Sequence, residues 1–172
     1  RPYMSKLNID KKTVKELFSA KKTKFLIPDY QRPYAWGEDE CQTLWEDLFN
    51  FSFPENNCDN FDSESDEYFL GPIVTFKNDK GDMEIIDGQQ RLTTLMLLLR
   101  AFYDKFKNMK DDKSEKTREQ IEACIWKTDE FGYVNTEELK INSEVATDKD
   151  KDEFLEILRT GDVTKGKSSY AK

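Results

Sequence analysis

Read along the chain, apolar side chains first recur at helical spacing between Thr13 and Ala20, where Val14, Leu17 and Phe18 share a face. Lys24-Phe25-Leu26-Ile27 then predicts a short strand ended by Pro28. From Ile27 to Trp36 two prolines enforce an extended, rigid loop. A helix is predicted from Glu38 to Phe51, with Cys41, Leu44, Trp45, Leu48 and Phe49 in the i, i+3, i+4, i+7, i+8 pattern. Pro54 to Glu67 is rich in Asn, Asp and Ser, has little to bury, and reads as a surface loop with the composition of disorder. Tyr68 to Lys77 and Met83 to Asp87 read as two strands of a hairpin, with Asn78-Asp79-Lys80-Gly81-Asp82 as the turn.

The second of these strands runs straight through Gly88 into a long helix, Gln89 to Lys107. Leu92, Leu95, Met96, Leu99, Phe102, Tyr103 and Phe106 form its main stripe, widened by Leu97 and Leu98, so it belongs at the centre of the fold. Beyond Asn108 the pattern weakens. Ser114 to Lys127 predicts a helix, Lys140-Ile141-Asn142 a short strand, and Lys149 to Arg159 a helix with Phe154, Leu155 and Leu158 inward. From Gly161 onward there is no periodicity, and the segment reads as loop. The expected class is α+β: a small sheet with the long helix packed on it, then a helical extension. The expected division is a core over residues 1–108 and an extension over 109–172, truncated at its C-terminal end. The start at Arg1 and the Lys/Ser-rich finish, Lys165 to Lys172, read as the bounds of a piece of a longer protein.

Composition removes several function classes. There is no histidine in the 172 residues, so neither an HNH nuclease nor a Ser–His–Asp triad can be complete here. Cys41, Cys58 and Cys124 form no CxxC pair and suit a reducing, cytoplasmic compartment. The net charge of -8 argues against a broad nonspecific DNA-binding face. It leaves room for a small phosphate pocket, which needs local donors only. The longest apolar run, Leu95 to Leu99, falls far short of the ~20 residues of a membrane span.

Two segments carry candidate chemistry. Asp87-Gly88-Gln89-Gln90-Arg91-Leu92-Thr93-Thr94 sits at a strand-to-helix junction, where unpaired first-turn amides and the helix dipole favour an anion. Gly88 permits close approach to the backbone, and Arg91 has the fork geometry to hold a phosphate. The plainer reading is that Asp87 caps the helix. In the other segment, Pro28 to Trp36, Tyr30, Tyr34 and Trp36 alternate with Gln31 and Arg32. Those aromatics either stack a base or plug the core, with Arg32 paired to Glu38, Asp39 or Glu40.

Taken together, Ile27-Pro28-x-Tyr30-Gln31-Arg32-x-Tyr34-x-Trp36 and Asp87-Gly88-Gln89-Gln90-Arg91-Leu92-Thr93-Thr94-Leu95 resemble the two signature blocks of the DUF262 family, the nucleotide-dependent half of GmrSD-type restriction enzymes. Tyr68-Phe69-Leu70-Gly71-Pro72-Ile73-Val74 looks like the family's connecting strand. Leu139-Lys140-Ile141 and Asp152-x-Phe154-Leu155 are similar to its more variable helical part. The clear resemblance spans Phe25 to Phe106.

The resemblance implies a ParB/sulfiredoxin-like fold in which the junction holds nucleotide phosphates with Mg²⁺. It also implies a bacterial phage-defence role in NTP hydrolysis and in sensing modified DNA, with cutting done by a C-terminal HNH-type nuclease domain. Carried over by position, Asp87, Gln90 and Arg91 would be catalytic, and Asp87 would contact the metal. Gly88 and Gln89 would bind the nucleotide together with Gln31, Arg32, Tyr34 and Trp36. A homodimer sharing the site is compatible with that superfamily, and no general base is assigned. The alternatives are a non-enzymatic module that reads modified DNA and a purely structural domain in which both blocks only hold the fold.

Overall fold

The computed structural model describes residues 10–62 and 65–172. The helices are α1 (Val14–Ser19), α2 (Glu38–Ser52), α3 (Gln89–Phe106), α4 (Asp112–Ile125) and α5 (Lys151–Thr160). The strands are β1 (Phe25–Ile27), β2 (Val74–Lys77), β3 (Met83–Asp87), β4 (Trp126–Thr128), β5 (Val134–Leu139) and β6 (Ile141–Ser143). The class is the α+β one expected, a small mixed sheet with packed helices.

Local chemistry sets the helix starts. Thr13 and Glu16 close a reciprocal capping box on α1, each side chain accepting from the other's backbone N–H at 3.1 Å. Glu40 reaches back to the Gly37 amide (2.9 Å) at the start of α2. Asp111 accepts from Ser114 N (3.1 Å) at the start of α4.

The main sheet has the order β2-β3-β1-β6. β1 runs parallel to both β3 and β6, with Phe25 opposite Met83 and Ile141, while β2 lies antiparallel on the outer edge of β3. The alternation expected of strands is met: Phe25, Ile27, Ile85 and Ile141 are buried on the packed face, whereas Ile86 and Phe76 are exposed on the other. All three parallel strands point their C-terminal ends the same way. That rim therefore collects the 28–36 loop after β1, the β3–α3 junction, and the loop after β6.

Several expectations are corrected in detail. The strand expected from Tyr68 begins only at Val74, because Gly71 (φ 102°) and Pro72 break the extended path before it. In the 54–67 loop, Pro54–Asn56 and Cys58–Asn60 form single 3₁₀ turns, and residues 63 and 64 lie outside the described residues. The fourth helix stops at Ile125 rather than Lys127, and Trp126 opens an antiparallel hairpin, β4–β5. Asp129 builds its turn, its carboxylate accepting from Phe131 N (2.9 Å) and Tyr133 N (2.8 Å) around Gly132 at φ 84°.

One core runs through both halves of the chain, joining Phe18, Phe25, Ile85 and Met96 to Ile125, Ile141 and Phe154. Residues beyond 108 thus supply α4, α5, the hairpin and also the fourth strand of the main sheet. Arg100 staples α3 to α5 inside this core. Its buried guanidinium donates to Leu158 O (2.9 Å) and Asp104 (2.7 Å), 4.9 Å from the Tyr103 ring centre and 5.4 Å from that of Trp126.

Candidate functional site

At the end of β3 the chain turns in a single residue. Gly88 takes φ 90°, a left-handed conformation, and a Cβ there would lie 3.1 Å from Ile73 Cγ1 and 3.2 Å from Pro72 O. Asp87 Oδ1 accepts from Gly88 N at 2.9 Å, and the first intrahelical bond of α3 is Leu92 N to Gly88 O. The first-turn amides of Gln89, Gln90 and Arg91 precede that bond, and the first turn holds no acidic residue. The nearest acid in sequence is Asp87, just outside the helix.

The two signature blocks are tied to each other mainly through backbone. Gln90 Oε1 accepts from Ala35 N (2.7 Å) while its Nε2 donates to Pro33 O (3.2 Å), so one side chain grips the 28–36 loop from both sides. Gln31 Nε2 donates to Ile85 O (3.2 Å) and Ile86 O (3.0 Å), clamping the same loop to β3. Tyr34 inserts its hydroxyl between α2 and α3, 2.8 Å from Thr94 Oγ1 and 3.6 Å from Cys41 Sγ, and Thr94 in turn donates to Gln90 O (2.8 Å). Burial, chiefly, pushes the Tyr34 phenol well above the usual tyrosine range, and the Cys41 thiol adds to it.

Arg91 turns away from these clips. Its Nη1 donates to Pro72 O (3.1 Å), and the guanidinium lies so close to Gly71 that a Cβ there would be 2.9 Å from it. It lines an open cleft of roughly 400 Å³. Trp36, Tyr68, Leu44 and Leu70 supply apolar walls, and Asp39, Glu40 and Asp47 supply carboxylates from α2. Glu40 is held below the ordinary carboxylate range by backbone amides. The Tyr68 hydroxyl donates to Asp47 (3.0 Å); reduced solvation and that carboxylate raise its phenol, and Arg91 opposes the rise.

The structure thus brings Trp36 and Arg91 together in the cleft. Gln31, Gln90 and Tyr34 lie in the clip between the two blocks, and Asp87, Gly88 and Gln89 at the junction beside it. Gln89 is buried, Asp87 exposed. Arg32 is exposed and forms no ion pair with Glu38, Asp39 or Glu40. Tyr34 does not offer a free ring, because it stacks on Tyr170 with centroids 4.8 Å apart. Sequence reasoning gave no site role to Thr94, Cys41, Tyr68 or Tyr170. Cys41 was legible only as part of the apolar stripe of α2 and Thr94 only as an ordinary residue of the helix turn, and Tyr170 lies in a segment without periodicity.

Asp87 suits Mg²⁺ in the way hard cations are held beside phosphates, with one or two carboxylates and the remaining positions filled by phosphate and water. Among the described residues no group of three or more Cys, Asp or Glu side chains is arranged to hold a metal by itself. Among the same residues no helix is long and apolar enough to cross a membrane.

A parallel-stranded rim, a strand–Asp-Gly–helix junction and a facing loop pinned by glutamines define an α+β domain with its candidate chemistry gathered on one side of the sheet. The chain belongs to the family described as the GmrSD restriction endonuclease, N-terminal domain, whose model matches residues 14–170. The match covers both signature blocks and extends through α4, the hairpin, β6 and α5. No curated protein matches the chain.

Proposed function

We propose that the domain binds a nucleoside triphosphate with Mg²⁺ and uses that binding to control a C-terminal HNH-type nuclease domain in a modification-dependent restriction system. One observation carries this reading: Arg91, on the first turn of α3, lines the same cleft as Trp36, and that first turn holds no acidic residue. Phosphate oxygens would meet the Gln89 and Gln90 amides and the Arg91 guanidinium, with Gly88 allowing the close approach. Asp87 would hold the metal, which supplies charge neutralisation and orients the terminal phosphate. Arg32 would face the phosphates from the loop, and Trp36 would pack the base or ribose. Gln31 and Gln90 act by fixing the loop, and Tyr34 by locking it to α3.

The test is a calorimetric titration of ATP, GTP, CTP and UTP with Mg²⁺ into the chain and into Arg91→Ala. Binding by the parent that is lost in the variant supports the site. Equal binding by both removes Arg91 from it. A chain that binds none of the four refutes the nucleotide reading and favours the structural one. The clips of Gln31 and Gln90 onto backbone carbonyls are the observation that points that way.

A further inference from the structure

The segment after α5 has no regular structure, yet Tyr170 near its end is buried. Tyr170 is only 8% exposed and stacks in near-parallel fashion on two rings, Tyr34 at 4.8 Å (14°) and Phe154 at 4.9 Å (23°). Its hydroxyl donates to the carboxylate of Asp148, itself buried in the loop after β6 and accepting from Asp150 N (2.9 Å). The tail is turned at Ser168 O, which accepts from Ala171 N (3.1 Å). It passes α5 so closely that a Cβ on Gly166 would collide with the Glu153 carboxylate.

Stacked rings transmit position because each excludes the other from the space it fills. Here the contact lands on Tyr34, the residue of the 28–36 loop whose side-chain hydroxyl reaches Thr94 of α3. From Asp148 the chain of contacts runs to the Tyr170 hydroxyl, through the paired rings to Tyr34, then to Thr94 and the Gln90 carbonyl in the first turn of α3. Tyr34 has no other aromatic partner among the described residues. Without Tyr170, its ring would border the space that the tail now fills.

We propose that Tyr170 is a positioning residue for the site: by stacking on Tyr34 it sets where the 28–36 loop sits against the amino end of α3. The loop is held at Gln31, at Gln90 and at Tyr34; Tyr170 supports the third point from behind. The functional half of this inference rests on the nucleotide reading above, whereas the positional half does not.

Cys41 allows the two to be separated. It is half-buried against the Tyr34 hydroxyl, Cys58 is exposed, and Cys124 is buried with its thiol pushed up by desolvation. In a Cys58→Ser background, the labelling rate of Cys41 by a thiol reagent therefore reports the Tyr34 contact. Tyr170→Ala should speed that labelling and weaken the affinity for whichever of Mg-ATP, Mg-GTP, Mg-CTP and Mg-UTP the parent binds. Each change should be about tenfold, the upper reach of one aromatic pair. Tyr170→Phe keeps the stack and loses only the Asp148 bond, so it should restore both within about twofold on the same scale.

Ile157→Ala, a buried change on α5, serves as the control for general loosening. It should lower the melting temperature and leave both readouts at the parental value. Parental labelling in Tyr170→Ala, or an increase matched by Ile157→Ala, overturns the proposal. If the parent binds no nucleotide, the functional reading falls while the labelling comparison still decides the positional one.

Discussion

Gln90 is where a catalytic role and a mechanical one lead to different numbers. Its side-chain amide makes two hydrogen bonds to the opposing loop, to Ala35 N at 2.7 Å and Pro33 O at 3.2 Å, in a partly buried setting. Gln90→Met keeps the length and bulk and deletes both. A net hydrogen bond contributes about 0.5–1.5 kcal/mol, so the pair should contribute about 2 kcal/mol. For a domain of this size that is a fall in melting temperature of about 4–8 °C. Urea unfolding followed by far-UV circular dichroism should show a lower midpoint with an unchanged slope, since the surface exposed on unfolding is the same. Trp36 fluorescence should shift as well, because its loop is released. A stability change below about 0.5 kcal/mol, the range of an ordinary surface substitution, would refute the clip and return Gln90 to the list of groups facing a ligand.

The other expectations follow from equally local features. Gly71→Ala would place a Cβ 2.9 Å from Arg91 Nη1 at φ 102°, so calorimetry should find both lower stability and weaker nucleotide binding. Arg100→Met breaks a buried guanidinium network and should cost about 3 kcal/mol in urea unfolding. Gly161→Ala at φ 75°, against the same guanidinium, should cost about 1–2 kcal/mol. Tyr34 and Tyr170 have phenols raised above the free value by burial, and in Tyr170 the Asp148 carboxylate adds to it. The folded state then holds protons that the unfolded state releases above pH ~10. Stability is full below that pH and falls as pH rises through and beyond it, and Tyr170→Phe should flatten the fall. Tyrosinate absorbance in the folded protein should lack these two groups near pH 10; normal titration of all tyrosines would contradict their burial.

The β3–Gly88–α3 junction was legible because every local signal agreed: an apolar strand, a glycine able to turn in one residue, then an unbroken amphipathic stripe. The 28–36 loop was legible for the same reason, its prolines forbidding regular structure. The β4–β5 hairpin was not. Asn135, Thr136, Glu137 and Glu138 are all exposed, so β5 shows no period of two, and Trp126 continues the apolar stripe of α4 past its end. The targets of Gln31, Gln90 and Arg91 were hidden for a different reason. They are backbone carbonyls and amides, which every residue carries and no side-chain pattern marks. Tyr170 was invisible because a single aromatic in a polar tail acquires its meaning only from rings 136 and 16 positions away, at Tyr34 and Phe154.

The place of β6 has a consequence for how the molecule is made. β1 lies between β3 and β6 and is three residues long, so it owes its hydrogen bonds to neighbours on both sides. One neighbour is 58 positions downstream and the other 116, counted from Phe25 to Met83 and from Phe25 to Ile141. During synthesis the sheet therefore waits with one side of β1 open until the ribosome has released Ile141 to Ser143. Through that interval the exposed Phe76 and Ile86 lie on a half-built sheet. A chain interrupted between α3 and β6 would keep both signature blocks and still present an unfinished edge.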